Sequence, residues 1–124
     1  MALTMTRTRT QTTLTKLASL VANTHGELAF VEEQLQALTG AGATVPPLPR
    51  SAADRQRLES GLLRRRQELL AARDALYVTL RQFDPALDLA AIGETQDWLR
   101  PFGRGLAARR RYLAAFVGRT GPAA

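Results

Sequence analysis

The side chains able to do chemistry in this sequence are few in kind. They are one histidine, His25, eleven carboxylates, two tyrosines, and seventeen basic residues of which all but Lys16 are arginine. With no cysteine, thiol nucleophiles, disulfides and cysteine-ligated zinc or iron–sulfur sites are excluded. A lone histidine leaves metal clusters and serine–histidine–aspartate chemistry without their central part, and His25 is expected at the surface. Gly40 and Gly42 lie in GAGATVPPLP, without the following lysine or the preceding strand pattern of a phosphate-cradling loop. Neither catalysis nor a cofactor is expected. The arginines offer recognition of acidic groups instead, since the formal net charge is +6. A coding bias toward arginine would give the same excess.

Positioning such residues falls to helices. The chain has 124 residues, room for one domain, and is rich in Leu, Ala, Arg, Glu and Gln. From Leu14, apolar residues recur in alternating steps of three and four: Leu14, Leu17, Val21, Leu28, Val31, Leu35 and Leu38, with Thr24 in the remaining slot. The prolines between Gly40 and Arg50 force a turn. Ser51 and Asp54 have the spacing of a capping box, opening a second helix over 52–83. Its seam reads Leu58, Leu62, Arg65, Leu69, Ala72, Leu76, Thr79 and Phe83. One rule, paired residue numbers summing to 93, aligns both seams antiparallel and places the reversal at Pro46-Pro47. Gly26, with Thr24 and Glu27 repeating the capping spacing, marks a place where the first helix can bend.

An arginine in a core slot needs compensation. The register brings Glu27 and Glu68 toward Arg65, giving a polar layer; the other reading is that Arg65 reaches out to water. Leu63, Leu70 and Tyr77, with Leu80 beside them, form a stripe the seam does not use, which calls for a second contact. The C-terminal segment of the same chain (through Trp98, Phe102 and Phe116) or a second hairpin would supply it. The latter gives a homodimeric four-helix bundle.

Beyond Phe83, Asp84-Pro85 predicts a stop and a short helix to about Ile92. Gly93 ends it, and Thr95 caps another short helix through Arg100. Leu106 to about Val117 predicts a last helix, with Leu106, Leu113, Phe116 and Val117 sharing its apolar face. The expected organisation is all-α: a Thr-rich arm over 1–12, a hairpin over 13–83 with its turn at 40–50, short helices over 84–118, and a tail over 119–124.

The pattern FDPALDLAAI, then Trp98, Phe102-Gly-Arg-Gly105 and Arg111-Tyr112-Leu113, resembles small uncharacterised bacterial helical-hairpin proteins with an FDP and F-R-G signature, over roughly residues 62–116. The resemblance implies a bacterial source and no particular activity. In some such proteins a DNA-binding helical element follows, whereas this chain stops too early to hold a winged helix.

No acid follows Asp97, and three readings of that end are open. Arg104, Arg109, Arg110, Arg111 and Arg119 would neutralise phosphates, helped by Arg7 and Arg9 on the arm. Alternatively the last helix would lie on a membrane surface, the least favoured of the three. Or its apolar face docks on the Leu63/Leu70/Tyr77 stripe and the arginines are only solvated. The MTRTRTQT alternation suits an edge strand or, more simply, a disordered arm. An acid-free Arg- and Thr-rich start also fits an organelle transit peptide in a eukaryotic source. No apolar run is long enough for a secretory signal or a membrane span, so a cytoplasmic location is expected. The expected role is that of an adaptor or accessory factor binding itself or another helical protein. The alternative is a sequence-independent nucleic-acid binder.

Overall fold

A computed structural model describes residues 9–39 and 51–118. Pro46-Pro47, the arm up to Thr8 and Arg119 lie outside the described residues. Among the described residues there are three α-helices: α1 (Arg9–Thr39), α2 (Ala52–Phe83) and α3 (Gly105–Val117). Between α2 and α3 run a 3-10 turn at Leu89–Ala91 and a 3-10 helix at Asp97–Phe102. The protein is all-α, with α1 and α2 packed as a long hairpin. Helix α1 begins at Arg9, inside the segment expected to be an arm.

Ser51 caps α2 as its position implied, accepting the Asp54 amide at 3.0 Å. Asp84 does not start a helix as expected. Its carboxylate accepts the Ala86 amide at 3.1 Å in a local turn, and only Leu89–Ala91 coils, as a 3-10 turn. Thr95 does not cap the next element, whose cap position is Gln96; its hydroxyl accepts the Asp97 amide at 3.2 Å in a turn one residue ahead of the 3-10 helix.

Val31, Leu58 and Leu62 are buried in one apolar cluster, and the Arg55 guanidinium reaches the Leu38 carbonyl, so near the turn end the pairing follows the expected register. Farther along it does not. Ala72 and Thr79 are exposed, and the buried column runs from Leu69 past the partly buried Arg73 and Leu76 to Leu80. A helix of 3.6 residues per turn drifts about 20° per heptad against a 3.5 repeat, so the next column takes over the seam. Leu80 then packs with Val21 and Leu89 in a second cluster.

The C-terminal segment turns the hairpin into a three-helix body. The Thr95 amide donates to the Ala22 carbonyl at 3.2 Å, laying the connecting strap along α1. Gly26 makes this possible: a Cβ there would stand 2.1 Å from the Thr95 carbonyl oxygen. Gly26 is a docking point inside an uninterrupted α1. Helix α3 then packs on both long helices, its Phe116 ring over Gly61 of α2. It therefore docks on the flank of α2 opposite the Leu63/Leu70/Tyr77 stripe. Leu106, expected on the docked face, is 49% exposed.

Candidate functional site

Glu27 is the electrostatic centre of the molecule. One column off the seam of α1, it is buried, and it accepts from Arg65 Nε at 2.6 Å and from Arg65 Nη2 at 2.9 Å. A two-pronged pair of this kind matches the planar guanidinium to the carboxylate. Arg65 Nη1 donates to Glu68 at 2.9 Å, and the Tyr112 hydroxyl donates to Glu27 Oε2 at 2.5 Å. One carboxylate thus joins α1, α2 and α3. The hydrogen bond to Glu27 holds the Arg65 proton more tightly than usual. Burial, then the bond to Glu27, pushes the Tyr112 phenol well above its ordinary range.

The structure brings Arg65, Glu27 and Glu68 together, as the polar-layer reading had it, while the Arg65 side chain keeps the partial exposure, 37%, of the other reading. Tyr112 was not expected there. Its ring stands edge-on to Phe30, Trp98, Phe102 and Phe116, with centroids 5.0–5.6 Å away. Phe30 carried a signal in the sequence, as the one aromatic residue of α1 and one that lies off its seam. Tyr112 carried none that seam spacing reads.

His25 is part-buried, contrary to expectation, because the strap covers it. Its Nδ1 lies 2.8 Å from the Ile92 carbonyl and its Nε2 2.7 Å from the Tyr77 hydroxyl. A carbonyl only accepts, so in the neutral ring Nδ1 carries the proton and Nε2 accepts from Tyr77. His25, Tyr77 and Ile92 also line a cleft of about 660 Å³ between α1, α2 and the strap. Arg73 and Arg81 lie over the Tyr77 ring, 5.6 and 5.7 Å from its centroid. Of the apolar stripe, Leu80 is buried, Leu70 and Tyr77 are partly buried within the chain, and Leu63 is 44% exposed.

The arginines singled out on α3 are not equivalent. Arg109 lies over Phe30 at 5.9 Å, and Arg111 donates to the Phe102 carbonyl at 2.8 Å, so both brace the fold. Gly103, at φ 113°, leaves room for Arg111: a Cβ there would stand 2.5 Å from its Nη1. Arg104 and Arg110 are exposed and make no ion pair among the described residues.

A groove that sequence reasoning did not single out runs between α2 and α3. It has a volume of about 740 Å³, with Gln56, Arg57, Ser60 and Arg64 along α2 and Ala115 and Phe116 on the α3 side. No acid lines it. Among the described residues no group of three or more His, Asp or Glu is placed to hold a metal ion, and no helix is long and apolar enough to cross a membrane. No family model, curated protein or solved structure matches the chain.

Proposed function

We propose that this is a non-enzymatic helical interaction protein, an adaptor or accessory factor, whose partner is another protein. The observation that carries the reading is the contrast between its polar groups. The strongly perturbed ones, Arg65 and Tyr112, are locked with Glu27 into a network that ties helices together. The unpaired cationic ones face outward along α2 and α3. Self-association has less to support it, because three of the four stripe residues are engaged within the chain and Leu63 alone stands exposed. A bacterial source belongs to the same reading, on the resemblance of the FDP and F-R-G pattern to helical-hairpin proteins, and a cytoplasmic location on the lack of a long apolar run in the sequence.

A second reading, binding of nucleic acid without sequence preference, is favoured by one observation: Arg104 and Arg110 are exposed on an end that has no acid after Asp97. The two separate by experiment. The intact chain is used to capture partners from cells of its source, with and without nuclease and at rising salt. A protein retained after nuclease treatment and at raised salt is the expected result. Capture abolished by nuclease, with duplex binding that falls steeply with log salt, overturns it in favour of the second reading.

A further inference from the structure

The outer face of α2 carries a heptad-like stripe that no part of the described chain covers. Ala53, Arg57, Ser60 and Arg64 recur in steps of four, three and four, and all are exposed. This is the spacing of a helix–helix seam, with its large apolar residues replaced by an alternation of small side chains and arginines. Beside it, Gly61 and Phe116 form an apolar floor against α3.

We propose that this groove seats an amphipathic acidic helix of a partner protein, lying along α2 with carboxylates seven residues apart. The proposal rests on the interaction reading above and names the partner's chemistry. Seven residues of helix rise about 10.5 Å, so carboxylates at that interval on a helix running along α2 meet Arg57 and Arg64 together. Ala53 and Ser60 let its backbone approach closely, and its apolar residues meet Phe116. Arg64 makes no ion pair among the described residues, and Arg57 pairs only with Asp54, at 2.6 Å with both side chains exposed. A surface pair of that kind contributes little and is readily exchanged for a partner's carboxylate. A second copy of α2 would set arginine against arginine in this stripe, so the complement is an acidic face.

The test uses the full chain and three probes by fluorescence anisotropy, with a fourth, the patterned peptide with Lys for Glu, kept for the charge-reversed variant. One is a three-heptad synthetic helix with Glu at seven-residue intervals and Ala and Leu between them on one face. Another has the same composition with the glutamates scattered around the helix, and the third is oligothymidylate. The patterned helix should bind at least about tenfold more tightly than the scattered one. Arg57→Glu with Arg64→Glu, at exposed positions where folding is checked by circular dichroism, should abolish that binding and create binding to the peptide with Lys for Glu. Arg104→Ala with Arg110→Ala should leave it unchanged. Equal binding of the two acidic peptides, or no rescue by the Lys peptide, overturns the proposal, as does tighter binding of oligothymidylate that follows Arg104 and Arg110. If the peptides fail while nuclease-resistant capture persists, the occupant is wrong and the interaction reading stands. If capture itself needs nucleic acid, the reading falls as well.

Discussion

Tyr112 on α3 donates its hydroxyl proton to Glu27 on α1 at 2.5 Å, across 85 residues of sequence. The same carboxylate holds Arg65 of α2, so a single side chain contributes both to the attachment of the third helix and to the pairing of the first two.

Glu27→Ala should therefore be among the most destabilising single changes in the protein. It removes the acceptor of three hydrogen bonds, two from the charged Arg65 and one from Tyr112. Breaking a fully buried pair costs about 3–5 kcal/mol. Arg65 is 37% exposed, which lowers the expected loss to about 2–3 kcal/mol. Arg65→Met combined with Glu27→Leu should cost less than the sum of the two single changes, because neither partner is then left alone. Chemical denaturation of the four proteins checks this, and additive losses would show that the pair is not coupled.

Tyr112→Phe should lower stability at neutral pH by about 1–3 kcal/mol, since Glu27 loses a donor in a buried place. The phenol is held above its ordinary value in the folded protein, so its contribution is complete below about pH 10 and fades as pH rises beyond that. The melting temperatures of the two proteins should converge above pH 10. A gap that stays constant to higher pH would refute the assignment.

Gly26→Ala and Gly61→Ala should differ although both sit inside long helices. Alanine favours a helix by about 1 kcal/mol over glycine in each case. At Gly26 the new methyl group meets the backbone oxygen of Thr95, which cannot move without lifting the strap. At Gly61 it meets the Phe116 side chain, 2.6 Å from Cδ1 and 3.0 Å from Cβ and Cγ, near the C-terminal end of α3, and not backbone. The first variant should lose stability and the second should stay near the parent in a thermal melt.

Leu80→Ala should cost about 2–5 kcal/mol and Thr79→Ala less than about 0.5. Leu80 is 1% exposed, whereas Thr79 stands in solvent and bonds only the Ala75 carbonyl. Equal effects would mean that the seam had kept the strict heptad course.

The hairpin was legible because its signals are local and periodic. A seam in steps of three and four, prolines, and a capping serine each act within a few residues of themselves. The meeting of Glu27, Arg65 and Glu68 followed from the same register. Ala72 and Thr79 were misplaced because the strict repeat was carried past the point where helix geometry lets it drift. Gly26 read as a weak spot in α1 because its neighbour, Thr95, arrives from another part of the chain. His25 read as a surface residue for the same reason: Ile92 and Tyr77 reach it through the strap and the second helix. Tyr112 depends on the whole path from Asp84 to Arg104, and that path is set by tertiary contacts that spacing does not encode.

The aromatic cluster also gives the molecule an internal optical reporter. Trp98 is the only tryptophan in the chain, and its ring stands 5.0 Å from that of Tyr112 on α3. Its emission therefore responds to whether α3 is seated, while far-ultraviolet circular dichroism is dominated by the two long helices. Followed side by side through a denaturant series, the two signals distinguish a body that melts as one from a hairpin that outlives the loss of its third helix.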